Sequence, residues 1–388
     1  MVSLQSAENA LKSFYLDAVK DSIDTKTSPF LAKVEQSTAD VYGKDVKKVI
    51  RLGFHGGVVS GSETGDLPKA DAAKYLKLTA SLKNLYGTIE ISDKAIRATQ
   101  GNESGLVNLL NGEMENLLKG AKYNFNRMVM GDGTGLLGGF NLRDNRTEMV
   151  VETPSILEVG MVVRLCNYSG VPYSNVTPRT LVAIDPIERV VKLSGDPIPE
   201  GFIGGLFYLD TVEDELTGLA ALFNKKNIYG LSEEEYEKIK PIDYPLDDVI
   251  NEQVVMKMID AVEERSGSAP NMIICSYDVR RALINYFTSM GTRLQAVEIE
   301  GGYKSISFNG IPVVADRFCP KGTMYFINTD DFKLCQLGDW QWMESEDGKI
   351  LHQIPGKPVY TATLVKYAEL ICTRPNAQAR LCGITEEV

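Results

Sequence analysis

Residues 102–135 read NESGLVNLLNGEMENLLKGAKYNFNRMVMGDGTG and carry the strongest periodic pattern in the sequence. Apolar residues in it recur every three or four positions and so share one face of an α-helix: Leu106, Leu110, Met114, Leu117, Ala121, Phe125 and Met128. Asn102 is placed to cap the start of this helix, and glycines from Gly131 onward end it. The pattern predicts a helix over 102–130, which spans roughly 40 Å and crosses a whole domain.

A β-hairpin is predicted over residues 46–95. Leu76, Leu78, Ala80 and Leu82 alternate with polar residues, which is the period of a strand with one apolar face. Glycines cluster between positions 53 and 65 and are typical of a hairpin tip. A two-stranded hairpin is marginally stable by itself in water, so its apolar face needs a cover. The sequence leaves open whether its own chain or another chain provides that cover.

Residues 1–45 contain a short amphipathic helix with Phe14 on its apolar side, followed by an extended arm through Thr25 and Pro29. Such an arm either packs on its own domain or reaches a neighbouring subunit. From composition alone the first interpretation is favoured.

Short strands separated by turns are predicted in residues 150–215, which fits a small β-barrel inserted between helical parts. This segment holds 4 Lys+Arg against 10 Asp+Glu, so it is a poor reader of nucleic acid. Residues 246–334 are mixed α/β. Residues 335–388 are rich in strands, and a turn at Pro355–Pro358 is predicted to join two of them.

Composition excludes several classes of protein. The 388 residues include 41 Lys+Arg, 52 Asp+Glu and 2 His, giving a formal charge of -11, which disfavours non-specific binding of nucleic acid. None of the six cysteines is in C-x-x-C spacing, so a zinc site is not expected and the thiols are interpreted as reduced and mostly buried in a cytosolic product. There is no run of about 18 apolar residues that would span a membrane, and no signal peptide is expected at the start.

Signatures of catalysis are not found. Residues 133–138 match G-x-G-x-x-G, but a helix precedes them where a dinucleotide site needs a strand. Walker A, G-x-S-x-G and H-E-x-x-H patterns are missing. No catalytic, cofactor-binding or metal-binding residue is therefore assigned, and no enzymatic activity is expected. Long elements that a compact monomer would leave exposed favour a self-assembling structural protein.

The order of these parts resembles that of the HK97-fold major capsid proteins of tailed bacteriophages. Two blocks carry the resemblance: GSETGDLPKA at 61–70 with LYGTIEIS at 85–92, continuing through the long helix to GDGTG at 131–135, and NGIPVV at 309–314 with MYFI at 324–327 and KYAE at 366–369. Each pattern is degenerate alone, but their order and spacing together are specific.

The resemblance implies an α+β fold with an inserted small β-barrel. The implied parts are an N-arm (1–45), an E-loop hairpin (46–95), a P-domain with its spine helix (96–140), the inserted barrel (141–230), an A-domain (241–334), P-domain strands (335–374) and a C-terminal A-domain segment (375–388).

The resemblance also implies a function. Subunits would form pentamers and hexamers of an icosahedral virion capsid, assembled in the host cytoplasm, around double-stranded DNA that is not bound by sequence. Implied partners are a scaffolding protein and a portal protein, with a decoration protein as a further candidate and no membrane. An encapsulin-type compartment with the same fold is the alternative. No motif selects Lys69, Lys77 or Lys83 as a crosslinking residue, so covalent crosslinking is not inferred.

Four residues are candidate inter-subunit contacts: Leu76, Leu78, Leu82 and Phe14. Under this hypothesis an aspartate at Leu78 leaves the subunit folded but blocks shell formation.

Overall fold

The computed structural model describes residues 28–53, 60, 74–98, 103–209, 215–291, 295–299 and 303–386. The strands of these residues, in chain order, are β1 (Glu35–Ser37), β2 (Val41–Tyr42), β3 (Asp45–Leu52), β4 (Lys74–Ser81), β5 (Lys83–Ser92), β6 (Leu136–Leu142), β7 (Glu148–Val151), β8 (Val162–Cys166), β9 (Arg179–Asp185), β10 (Val190–Leu193), β11 (Gly204–Leu209), β12 (Ile242–Pro245), β13 (Met272–Cys275), β14 (Gln295–Ile299), β15 (Tyr303–Phe308), β16 (Ile311–Ala315), β17 (Met324–Ile327), β18 (Phe332–Gln336), β19 (Gln341–Trp342), β20 (His352–Gln353), β21 (Val359–Cys372) and β22 (Ala379–Cys382). The α-helices are α1 (Asp93–Ala98), α2 (Glu103–Met130), α3 (Ala221–Asn224), α4 (Glu233–Glu237), α5 (Glu252–Ser266) and α6 (Tyr277–Ser289).

A six-stranded sheet is built around β21, which has 14 residues and is paired along both edges. Ala368 pairs with Gln336 of β18 on one side and with Lys83 of β5 on the other. Farther along β21, β19 and β20 pair with the edge that β18 uses, and β5 continues along the other edge. Strand β5 therefore runs along one edge of β21, while β18, β19 and β20 follow one another along the other, and β1 joins β18 in parallel.

The long helix α2 packs on one face of this sheet, and its 28 residues confirm the predicted helix. Met114 and Phe125 are buried, and Leu117 crosses over Gly87 of β5. A Cβ at Gly87 would lie 2.8 Å from Cδ1 of Leu117, so this approach of helix and strand favours glycine. From Met114 onward, the predicted apolar stripe is thus the contact surface between helix and sheet.

The hairpin consists of antiparallel strands β3 and β4, and β2 extends it by pairing with β3. The chain between Leu52 and Lys74 contains the predicted glycine-rich tip, most of which lies outside the described residues. After Leu82 the chain leaves the hairpin and continues as β5 in the six-stranded sheet. Ile89 and Ile91, which the sequence pattern grouped with the hairpin, therefore belong to the sheet.

A second core lies in a seven-stranded sheet of order β12-β22-β17-β13-β16-β15-β14, covered by α5 and α6. Helix α5 begins where the Asn251 side chain accepts a hydrogen bond from the N–H of Val254, and it ends at Gly267 in a left-handed conformation. Strand β22 returns from the end of the chain to this sheet, so the sheet is assembled from two separate parts of the sequence.

The third core is a closed six-stranded barrel of order β10-β7-β6-β11-β8-β9. Its strands run from Leu136 to Leu209, whereas the resemblance implied an insertion at 141–230. Strand β6 was not predicted because apolar and polar residues do not alternate in its sequence, LLGGFNL. It also contains Gly138, a glycine with positive φ that interrupts a regular strand. Residues 215–230 contribute to the main core instead.

The segment that follows the barrel is clamped against the end of α2. Arg127 Nη1 and Nη2 donate to the two carboxylate oxygens of Glu215 at 2.9 and 2.5 Å, and both side chains are buried. The N–H of Leu219 donates to the carbonyl of Val129 at 2.7 Å. A Cβ at Gly218 would come under 3.0 Å from three backbone oxygens at this helix end. Only glycine fits between these backbones.

We expect Gly218→Ala to lower the free energy of unfolding by about 3 kcal/mol, because fixed backbone atoms cannot move aside for the new methyl group. Urea unfolding followed by circular dichroism measures this. Gly112→Ala in α2 is the control, since a Cβ there meets no atom within 4 Å, and it is expected to stabilise by up to about 1 kcal/mol. Equal stability of Gly218→Ala and the parent would contradict the close packing.

Candidate assembly surfaces

The hairpin has two unlike faces. Register pairs Val46 with Ala80, Lys48 with Leu78 and Ile50 with Leu76, and these residues form the inner face. Val46 and Leu78 are each 1% exposed and belong to the main core, while Ile50, Leu76 and Ala80 are partly buried against it. The subunit's own body therefore covers the apolar face of its hairpin.

Tyr229 connects the hairpin to the central strand. Its carbonyl accepts a hydrogen bond from the N–H of Thr79 at 2.7 Å. Its hydroxyl donates to the carbonyl of Leu370 and accepts from the N–H of Cys372, both at 3.1 Å. Burial raises the pKa of the Tyr229 hydroxyl well above its usual value, so it stays a neutral donor. The hairpin is thus held by hydrogen bonds as well as by apolar contact.

These positions bear on the four predicted contact residues. Leu76 and Leu82 are half-buried and pack on the main core, so each keeps some surface for a neighbour. Leu78 keeps almost none, because its side chain is enclosed by its own chain. Phe14 lies outside the described residues. That any of the four contacts a neighbouring subunit stays a prediction, but the expectation that aspartate at Leu78 leaves the fold intact needs correction.

The outer face of the hairpin is exposed and basic. We define it by Lys47, Val49 and Arg51 on β3 and by Tyr75 and Lys77 on β4. Val49 and Tyr75 are each 63% exposed, and the three basic residues are exposed as well. Three cations around two large apolar side chains stand out in a chain of net charge -11. Its charge and apolar area are complementary to an acidic protein surface that also has some apolar area.

Sequence reasoning missed this outer face, although a signal for it was present. Lys47, Val49 and Arg51 alternate with Val46, Lys48, Ile50 and Leu52, and all of these except Lys48 are apolar. The leucines alone identified only the apolar face of the hairpin. A monomer can bury that face against its own body, so the leucines did not indicate which face is exposed.

Buried charges hold the helix, sheet and loops together. The ammonium group of Lys366 is fully enclosed, 3.7 Å from a carboxylate oxygen of Asp339. It also lies 5.6 Å from the ring centre of Trp340 and 6.0 Å from that of Phe125. The carboxylate and the two aromatic faces offset part of the cost of removing the ammonium group from water. The arrangement fixes the loop after β18 against α2.

Glu369 is the second enclosed charge on β21, at 1% exposure. One carboxylate oxygen accepts hydrogen bonds from the N–H groups of Thr217 and Leu370 at 2.7 and 3.0 Å. Burial raises the pKa of Glu369 to about 7, against the opposing effects of these hydrogen bonds and the charge of Lys83. Glu369 thereby connects β21 to the clamped segment at 215–220.

The barrel carries a further set of exposed apolar residues. Ile187 is 89% exposed and Ile203 is 81% exposed, and Tyr168, Val159 and others add to them. Exposed apolar area of this kind is a candidate for protein contact.

Other kinds of site receive little support. Among the described residues there is no group of three or more His, Cys, Asp or Glu side chains that could hold a metal. No described helix is long and apolar enough to cross a membrane. All six cysteines are free thiols, five of them buried, and burial raises the pKa of Cys335 to about 11.

Comparisons with known proteins bear on the fold. No family model matches the chain, and no curated protein matches it. Solved structures do: the capsid asymmetric unit of cyanophage A-1(L) has a TM-score of 0.55 at 11% identity, covering 91% of both chains. The capsid of an empty GTA particle has a TM-score of 0.50 at 10% identity, covering 92% of this chain and 90% of that one. An encapsulin from Synechococcus elongatus has a TM-score of 0.47 at 9% identity, covering 94% and 91%.

The chain has an HK97-type capsid fold. The domain names stay predictions of the resemblance: α2 would be the spine helix, the sheet around β21 part of the P-domain, the β3–β4 hairpin the E-loop and the seven-stranded sheet the A-domain. The barrel is an insertion between the spine helix and the clamped segment. The solved structures that it resembles are shell proteins rather than enzymes.

We expect Leu78→Asp to destabilise the subunit itself by more than about 3 kcal/mol, because it buries a charge without a partner. Thermal unfolding and the yield of soluble protein measure this. Lys77→Asp, at the neighbouring exposed position, is the control and should unfold near the parent temperature. A Leu78→Asp subunit as stable as the control would mean that the inner face is not covered by its own chain.

Glu369→Gln is expected to stabilise the subunit at about pH 8 by roughly 3 kcal/mol. Glutamine keeps a carbonyl oxygen for both N–H donors but has no charge to desolvate. Because the folded-state pKa is raised from 4.5 to about 7, the parent loses stability as the pH rises through this window, and the two proteins should converge below pH 4.5. Urea unfolding across this range tests it, with Glu90→Gln on the exposed face of β5 as control. A difference that does not change with pH would contradict the assignment.

Proposed function

We propose that this chain is the major capsid protein of a tailed bacteriophage. Copies of it would assemble into pentamers and hexamers of an icosahedral shell that encloses double-stranded DNA. The observation that carries the proposal is the capsid fold, which extends over 91% of this chain and of the cyanophage A-1(L) capsid chain.

The proposal extends to partners. A scaffolding protein would direct assembly, and a portal protein would occupy one vertex. The exposed apolar residues of the barrel favour contact with a decoration protein. DNA would be enclosed without sequence-specific contacts, in keeping with the acidic chain. Assembly would take place in the host cytoplasm, and no membrane would take part.

The hairpin would join subunits through its outer face. Its inner face is covered by its own chain, so Val49, Tyr75 and the three basic residues around them are the surface left for a neighbour. Basic side chains there would meet the acidic surface of the next copy, which favours association in a defined orientation.

Expression of the chain with any adjacent scaffold gene, followed by negative-stain microscopy and nuclease treatment, tests the function. The capsid proposal predicts closed shells and, in particles made during infection, DNA protected from nuclease. Shells that retain protein cargo and no DNA would support the encapsulin-type alternative. Small soluble oligomers under all assembly conditions would contradict both.

We expect Tyr75→Asp to leave the subunit folded but to reduce shell formation strongly, since it places a negative charge among the cations of the outer face. Sedimentation and microscopy measure assembly, and thermal unfolding checks the fold. Tyr168→Asp on the barrel is the matched control, because Tyr168 is 67% exposed and Tyr75 is 63% exposed. Normal shells from Tyr75→Asp would show that the outer face is not part of the contact between subunits.

A further inference from the structure

Two long loops meet at one end of the barrel. Residues 167–178 connect β8 to β9, and residues 194–203 connect β10 to β11. Because β8 and β9 are adjacent antiparallel strands, a short turn would be enough to join them, and longer loops on a rigid scaffold often carry binding residues. This end, formed by both loops, is the barrel tip. It lies opposite to the end at which β11 leaves the barrel, where the N–H of Leu209 donates to the carbonyl of Gly135.

The first of the two loops has the composition of a recognition loop. It reads NYSGVPYSNVTP, so tyrosine, serine, asparagine and glycine make up seven of its twelve residues. These four residue types are enriched in the binding loops of antibodies. There, tyrosine supplies rigid contact area and the small polar residues supply adaptable hydrogen bonds. The composition therefore indicates contact with another macromolecule.

Large side chains of both loops are exposed at the tip. Tyr168 is 67% exposed, Val171 is 57% exposed and Ile203 is 81% exposed. Below them the two loops are joined by aromatic contact, because the ring centre of Tyr173 lies 4.1 Å from that of Phe202. An apolar patch of this kind, rimmed by polar residues, is typical of a protein interaction site.

Hydrogen bonds hold the tip in shape before any partner binds. The Oδ1 atom of Asn167 accepts from the N–H groups of Ser169 and Val171 at 2.9 and 3.0 Å. The hydroxyl of Tyr173 donates to the carbonyl of Gly204 at 2.7 Å and so ties the first loop to β11. Little conformational entropy is then lost when a partner binds.

The charges on the tip are acidic. The first loop contains no charged residue, and the second contains Asp196 and Glu200, which are both exposed. The guanidinium of Arg146 donates to the carbonyls of Ile198 and Phe202, so this cation is engaged in holding the second loop. Nucleic acid, a polyanion, is disfavoured here. A protein surface with basic residues around an apolar centre is complementary to the tip.

We propose that the barrel tip binds a second protein, different from this chain. An apolar centre of that protein would cover Tyr168 and Ile203, and basic residues around it would face Asp196 and Glu200. The inference rests on the proposed function and deepens it, because it assigns the accessory protein of the shell to one site and gives the chemistry of its contact surface.

The composition of the tip favours a different protein over a second copy of this chain. Obligate contacts between identical subunits are more apolar than the average protein surface. A surface rich in tyrosine, serine and asparagine is instead typical of partners that fold separately and then associate. Two tips facing each other would also bring Asp196 and Glu200 of both copies together, and like charges repel.

Site-specific crosslinking in cells that produce the particles tests the proposal on the full chain. A photoreactive benzophenone amino acid replaces Ile203, or Ile187 as the control. Ile187 is 89% exposed in the turn between β9 and β10, at the other end of the barrel. Mass spectrometry should find one second protein joined to position 203 and not to position 187. Crosslinks from position 203 to other copies of this chain, equal crosslinks from both positions, or none would each overturn the proposal.

The crosslinked protein, once purified, allows affinities to be measured on shells of variant chains. Tyr168→Asp should weaken binding about thirtyfold or more, as loss of a central tyrosine does in protein interfaces. Ile187→Asp is the matched control and should leave the affinity unchanged. Tyr168→Phe keeps the ring but loses the hydrogen bond to Oδ1 of Asn141, so its affinity should stay within about tenfold of the parent's. Equal affinities of Tyr168→Asp and the parent overturn the tip as the binding site.

Charge reversal tests the chemistry assigned to the partner. Glu200→Lys should slow association with the second protein, and added salt should weaken binding to the parent shells, because the attraction is between opposite charges. Faster association of Glu200→Lys would mean that the partner surface is acidic and would overturn the proposal.

Microscopy of the same samples separates this inference from the function on which it rests. Shells that form normally but bind no second protein overturn the assignment of the tip and leave the proposed function standing. Absence of shells from the parent chain overturns both.

Discussion

Pairing of β21 along both edges is the constraint on which the subunit depends. On one side this strand holds β5, which continues directly from the hairpin, and on the other it holds β18 and the strands that follow it. Spine helix, hairpin and N-terminal strand β1 are all positioned through it, either directly or through one neighbour. Lys366 and Glu369 lie on the same strand and are both enclosed, so β21 also carries the buried charges that select a single arrangement of the surrounding loops.

This arrangement separates two tasks within the hairpin. The inner face contributes to the stability of the subunit, through Leu78 and the hydrogen bond of Thr79 to Tyr229. The outer face, with Val49 and Tyr75 exposed among basic residues, is the surface that we propose for association. Under that proposal a subunit would fold before it assembles, and its hairpin would already be fixed in direction when it meets a neighbour. Less conformational entropy is then lost at assembly than if the hairpin had to order there.

Much of this architecture follows from the sequence, for identifiable reasons. The spine helix was predictable because seven apolar residues, from Leu106 to Met128, keep the helical period over about six turns without a break. The hairpin was predictable from the alternation around Leu78. By contrast, β6 contains adjacent glycines and lacks alternation, and the barrel boundary was misplaced for that reason. A period-two pattern indicates that one face of a strand is apolar, but it does not indicate what covers that face. The burial of Leu78 by its own chain could therefore be seen only in the structure. Lysine and glutamate at 366 and 369 gave no sign of burial, because their partners come from distant segments.

We propose that each hairpin stays on its own subunit by its inner face and meets a neighbour by its outer face. A cryo-electron microscopy map of the assembled shell at side-chain resolution tests this most directly. We expect Leu78 to be enclosed by its own chain, and Val49 and Tyr75 to lie against an acidic surface of the next subunit. A hairpin whose leucine face has swung onto a neighbour, with Tyr75 turned to solvent, would contradict it.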